Sequence, residues 1–244
     1  MYGLLRKELR GFFSSLTGYL VIVVFHAVTG LCLWVFPGAL NIPESGYASL
    51  DGLFYLAPWV FLFLAPAITM RSFAEEFKSG TIEWLLTKPV SEWQIATAKF
   101  LAAVILIALA VLPCFIYAVS VWWLGNPPGN MDTGATFGAL TGLLLLGGIY
   151  AAVGTFSSAL TDHQAVAFIS SALLCFIFYE GFDALAGLIT ANTAQDIILW
   201  MGMKEHYSSI SRGVIDFRDL IYFFGMMTLF LLLTRLKLKS RKWK

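Results

Sequence analysis

Apolar residues run through this chain in long charge-free blocks, and the blocks rather than any amphipathic period set its organisation. No charged residue occurs between Arg10 and Glu44, between Asp51 and Arg71, or between Lys99 and Asp132. These intervals predict spans near 19–36, 53–70 and 100–123, the third ended by the breaker run Gly125-Asn126-Pro127-Pro128-Gly129. Segments 136–160 and 164–185 give a fourth and a fifth, separated by Thr161-Asp162-His163. Each has the roughly 20 residues that ~30 Å of hydrocarbon demands. A sixth, Leu220–Thr234, is short, and Arg235 and Lys237 extend it by snorkelling to about residue 236. The expected fold is all-α: a polytopic membrane protein of six transmembrane helices, with residues 1–244 forming one transmembrane domain.

Before the first span, Leu5, Leu9, Phe12 and Phe13 share one helical face while Arg6, Lys7 and Arg10 take the rest. That pattern predicts an N-terminal amphipathic helix on the inner leaflet. The stretch after it exceeds a signal-peptide core and lacks a small-residue cleavage site.

Composition agrees with a bilayer as solvent. The 244 residues are 59% hydrophobic and 13% charged, against roughly 25% charged in soluble domains. Charge placement orients the chain. With the N-terminus inside, Arg6, Lys7, Arg10, Arg71, Lys78, Lys88, Lys99, Arg235, Lys237, Lys239, Arg241, Lys242 and Lys244 fall on the cytoplasmic side. Only Lys204, Arg212 and Arg218 fall outside. This bias places both termini in the cytoplasm.

The segment from Arg71 to Lys99 is richer than a plain loop. Phe73 and Phe77 lie one turn apart and can carry the second span beyond the apolar block. Gly80 allows a change of direction, after which Ile82, Leu85 and Leu86 form a short apolar face with Glu83 turned away. Pro89 stops that helix, and Ser91 with Gln94 forms a capping box that starts the helix of the third span. A short helix held between two membrane helices suits docking to a cytosolic partner whose motion it would pass on.

The run Glu75-Glu76-x-x-x-Gly80-Thr81-Ile82-Glu83-x-Leu85-Leu86-x-x-Pro89-Val90 resembles the signature of ABC-2 transporter permeases. The resemblance implies that this cytoplasmic loop carries a coupling helix for a cytosolic ABC ATPase, to which Glu75, Glu76, Gly80, Thr81, Ile82, Glu83, Leu85, Leu86 and Pro89 contribute. Further segments, Tyr19–Ile22, Leu33–Phe36, Leu56–Trp59, Met70–Phe73, Leu124–Pro127 and His206–Asp219, resemble the gliding-motility-associated permease of the GldF type. That implies export across a bacterial inner membrane, with a second permease or membrane subunit, homo- or heterodimeric and of the GldG type. In ABC-2 permeases the segment before the last span commonly forms a re-entrant element.

The chain contains no G-x-x-x-x-G-K-[ST] loop. Energy must then come from a separate subunit that binds ATP and magnesium, and no cofactor is expected in this chain. H-E-x-x-H and G-x-S-x-G are also missing, so no catalytic residue is assigned. Cys32, Cys114 and Cys175 lie singly in apolar runs and predict neither disulfide nor metal site. His26, His163 and His206 are far apart in sequence. Lipid rather than nucleic acid is the expected surroundings.

Glu180 and Asp183 share a helix face in the outer part of the fifth span, and Arg212 and Asp216 lie four apart beyond it. These four are candidates for a pathway or a subunit contact, the acid pair alternatively ending the span at the headgroups. An intramembrane hydrolase built on the acid pair lacks a nucleophile. A non-transporting mechanical or scaffold subunit, relaying ATPase motion to a periplasmic or membrane partner, is the other reading of the same docking element. In the fourth span Gly138, Gly142, Gly147, Gly148 and Gly154 permit close helix approach.

Overall fold

The structure is a computed structural model, described for residues 1–87, 90–189, 192–213 and 216–241. The helices are α1 (Tyr2–Phe13), α2 (Leu16–Trp34), α3 (Ile42–Ser45), α4 (Asp51–Thr69), α5 (Ala74–Lys78), α6 (Thr81–Leu86) and α7 (Glu92–Val111). There follow α8 (Cys114–Leu124), α9 (Thr133–Leu160), α10 (Gln164–Phe176), a π-helical turn (Ile177–Gly181) and α11 (Phe182–Ala186). The chain ends in α12 (Asn192–Met201), α13 (Met203–Ser211) and α14 (Phe217–Arg241). Among the described residues there is no strand.

Five helical segments are long and apolar enough to cross a membrane: Asp51–Lys78, Glu92–Leu124, Thr133–Leu160, Gln164–Ala186 and Phe217–Ser240. A sixth is counted when α1 and α2, which meet at a sharp bend, are taken as one. The all-α polytopic expectation therefore holds. The second and third segments are not single rods. A break at residues 70–73 divides α4 from α5, and Leu112-Pro113 divides α7 from α8, since a proline cannot supply the N–H that an unbroken helix would use there.

The last helix corrects the sequence reading. Instead of a short 220–236 span, α14 runs 25 residues from Phe217 to Arg241. Asp219, which stands just before that apolar block in sequence, is buried in its first turn, its Oδ1 2.7 Å from His206 Nδ1. The basic residues at the other end simply continue the helix.

α9 is the axle of the bundle, packed by α4, α7, α10, α13 and α14. Its glycines allow that. A Cβ at Gly147 would sit 2.7 Å from Ile107 and 3.1 Å from Phe61, and one at Gly138 would sit 2.9 Å from the Gly213 backbone. Without much hydrophobic drive between helices in lipid, such close backbone approach supplies the packing. Three buried hydroxyls are satisfied within their own helices: Thr69, Thr155 and Thr234 each donate to the carbonyl four residues earlier.

The two ends of the bundle differ in charge. α1, α5, α6, the start of α7 and the end of α14 share one end, where Phe73, Ile82, Ile95, Ala159 and Leu238 form a small buried cluster beside Leu4. Lys204, Arg212 and Arg218 lie near α11–α13 at the opposite end.

Candidate functional site

The connection between the second and third spans is a built elbow. Where α4 ends, three backbone groups would lose their helical partners. Ser158 of α9 meets them: its hydroxyl donates to the Met70 carbonyl at 3.0 Å and accepts from the Phe73 and Ala74 N–H groups at 3.0 and 3.1 Å. Ser158 is fully buried, so a Ser158→Ala chain leaves these groups without a partner. We expect a loss of about 2 kcal/mol, read as a lowered unfolding temperature of the purified protein in detergent. An unchanged value would mean that the break closes without this hydroxyl.

Past the break, Phe73 and Phe77 stack at 6.0 Å between centroids. Gly80 then reverses the chain at φ +70°, a left-handed conformation that other residues adopt only with strain. α6 follows with Ile82 turned into the cluster of Phe73, Ile95 and Leu238. The return into α7 is fixed by the expected capping box, Ser91 Oγ accepting from the Gln94 N–H and Gln94 Oε1 from the Ser91 N–H, both at 3.2 Å.

The residues expected to act together at this loop fall into two groups. Glu76 and Ile82 are buried and hold the elbow. Glu75, Gly80, Thr81 and Glu83 are exposed and Leu85 is half-buried. Trp84 is 79% exposed on the same outward side. Pro89 and the side chain of Leu86 lie outside the described residues.

Beneath α6 sits a buried ionic cluster. Lys99 of α7 is fully enclosed, its Nζ 2.7 Å from Glu8 Oε1 of α1 and 3.0 Å from Glu76 Oε2 of α5. It also donates to the Ser72 carbonyl and lies 4.9 Å from the Phe73 ring centre. The other Glu76 oxygen accepts from Lys7 at 2.8 Å. Burial pulls the Lys7 ammonium down, but the hydrogen bond and charge of Glu76 outweigh it and raise its pKa above the ordinary lysine value. One cluster thus clamps the amphipathic helix, the elbow and the third span. In sequence Lys99 entered only the charge count, because its partner Glu8 is 91 residues away. A lysine set between Ala98 and Phe100 at the edge of an apolar run was the available signal.

At the opposite end, Glu180 and Asp183 are brought together, as their spacing predicts, by Lys204 of α13, at 2.8 and 2.7 Å. Burial lowers the Lys204 ammonium, and the bonds to Asp183 and Glu180 more than reverse this. Glu180 stands in the π-helical turn, a local widening often associated with functional positions. Arg212 and Asp216 do not pair: Arg212 donates to the Ser208 carbonyl, and Asp216 accepts from the Arg218 N–H. The segment around them is partly outward-facing and partly packed into the bundle. Ile197, Trp200 and Met201 on α12 are exposed, but α13 buries Met203, His206, Tyr207 and Ile210, and Tyr207 donates to the Phe54 carbonyl of α4 at 2.9 Å. His206 touches acceptors with both ring nitrogens, Asp219 and the Trp200 carbonyl at 2.8 Å, and stacks on Tyr222 at 3.9 Å.

Among the described residues no group of acidic, histidine and cysteine side chains could hold a metal ion. Cys114 and Cys175 are buried and Cys32 is half-buried, all free thiols.

Fold and site together define a polytopic helical membrane protein with a short helix, α6, between two of its membrane-crossing segments. The chain belongs to the ABC-2 transporter family: residues 41–234 match the family described as ABC-2 family transporter protein. It is therefore a transmembrane permease of an ABC transporter, a class of membrane subunit that works with an ATPase subunit. No curated protein matches the chain.

Proposed function

We propose that the chain couples ATP hydrolysis by a separate cytosolic ATPase to export across a bacterial inner membrane, and that α6 is the coupling helix. The observation that carries this reading is the construction of α6 itself. It buries Ile82 and presents Thr81, Glu83 and Trp84 outward, and it lies between α5 and α7, which belong to membrane-crossing segments. A partner moving against that face would move α5 and α7 with it. The end bearing α6 carries most of the basic residues, which supports a cytoplasmic position and cytoplasmic termini.

The finer assignment, a gliding-motility-associated permease with a second membrane subunit of the GldG type, rests on the sequence resemblance. ATP and magnesium would bind the partner. Arg212, Asp216, Glu180 and Asp183 stay candidates for a pathway or a subunit contact.

The test is a Glu83→Arg, Trp84→Ala chain coexpressed with a candidate ABC ATPase subunit from the same organism. Neither residue supports the fold, so membrane insertion should be unaffected. We expect at least a tenfold fall in copurified ATPase, since an exposed aromatic and a charge are the usual anchors of such contacts. Undiminished copurification with unchanged ATP turnover would remove α6 from the interface.

A further inference from the structure

A cavity of about 480 Å³ opens between α1, the elbow and α7, within the range of small-molecule sites. Its two walls differ. One is charged and polar, with Lys7, Arg71 and Lys99 beside the carboxylates of Glu8 and Glu76; the other is apolar, with Phe12, Ile68 and Leu106. The basic residues are not alike. Lys99 and Lys7 are engaged by Glu8 and Glu76. Arg71, by contrast, is half-buried, its Nε is fully shielded, and it has no hydrogen-bond or ion-pair partner among the described residues. Glu75, one turn further on, also lines the cavity but makes no ion pair with it.

A shielded guanidinium N–H without an acceptor is costly, and its planar fork suits two oxygens of a phosphate. The location narrows the ligand. Arg71 and Lys99 are the first charges after the apolar runs of α4 and the first before that of α7, which is headgroup depth for a chain in a bilayer. α1, apolar on one face and basic on the other, closes the site from the side.

We infer that this cavity seats an anionic phospholipid, its phosphate on Arg71 and Lys7 and the start of its acyl chains along Ile68 and Leu106. The lipid fills the gap between the amphipathic helix and the elbow, so its presence stiffens the same joint that α6 moves. The inference is independent of which protein docks on α6.

The experiment uses the full chain in nanodiscs of phosphatidylcholine with or without phosphatidylglycerol, and native mass spectrometry of the released protein. Wild type should retain phosphatidylglycerol in preference to phosphatidylcholine. Arg71→Gln should weaken retention about tenfold, the loss of one charge-assisted contact. Glu75→Gln should keep or strengthen it. Should Arg71→Gln fail to insert, Gly11→Phe decides. Gly11 lines the cavity and a Cβ there meets nothing within 4 Å, so the ring would fill the space without altering a charge. Equal retention of both lipids by wild type, or retention unchanged in Gly11→Phe, would overturn the inference. So would inorganic phosphate alone displacing the lipid, which would assign the seat to the free anion.

Discussion

Replacing Lys99 with Met should be among the most damaging single changes outside the bundle centre. The substitution keeps the aliphatic stem and removes only the charge. Glu8 and Glu76 would then face each other and the Ser72 carbonyl with no cation enclosed between them. Breaking a buried pair by deleting one partner costs roughly 3–5 kcal/mol. Lys7 still reaches Glu76, and Glu8 retains some exposure, so the lower part of that range, about 3 kcal/mol, is expected. Thermal unfolding in detergent reads the loss. Removing the orphaned charges as well, in a Lys99→Met, Glu8→Gln, Glu76→Gln chain, should recover much of it, because neutral groups are cheaper to bury. If the single change is silent, the cluster does not hold α1 against the elbow.

The second large effect is expected at Gly154. A Cβ there would lie 2.0 Å from Thr69 Oγ1, 2.9 Å from Thr69 Cβ and 3.1 Å from Ser171 Oγ. Thr69 cannot rotate aside freely, since its hydroxyl is bonded to the Ala65 carbonyl at 2.8 Å and it is fully buried where α4 crosses α9. Gly154→Ala must therefore push the two helices apart just before the elbow. Overpacking of this kind costs about 1–3 kcal/mol, and the rigid neighbour argues for the upper end. Gly148→Ala is the control. Its nearest neighbour is the terminal methyl of Met227 at 2.6 Å, the far end of a flexible side chain that can move. Unfolding temperatures should thus separate the two alanine variants clearly, with Gly154→Ala much the lower. Equal values would mean that α4 and α9 slide apart at little cost.

The helices were legible in the sequence because each span needs a long charge-free run, and few charges interrupt these. Legibility ended where a charged side chain finds its partner far along the chain. Asp219 stood outside the last span on paper, yet it is buried in α14 against His206, 13 residues earlier. Lys204, counted only as an outer positive charge, meets Glu180 and Asp183 from 24 and 21 residues away. The connector was anticipated in outline: its glycine reversal, short helix and capping box are local devices, readable from adjacent residues. Which of its side chains face inward was not. Ile82 joined Leu85 and Leu86 in a predicted apolar docking face, but it packs inward against Phe73 and Leu238. Glu76 was grouped with Glu75, although one is clamped by Lys7 and Lys99 and the other is exposed. Adjacent acids look alike in sequence; the fold alone separates them. Ser158, which bridges the break in the second span, follows Ser157 in the sequence, and nothing local distinguishes the two.

α6 is proposed as the element an ATPase grips. A photo-crosslinking amino acid placed at position 83, and separately at the exposed position 197 on α12 at the opposite end of the bundle, tests it in intact cells. Illumination should yield an adduct of the chain with a P-loop ATPase from position 83 and none from position 197. An ATPase adduct from position 197, or none from position 83 with both chains present in the membrane, would contradict the account.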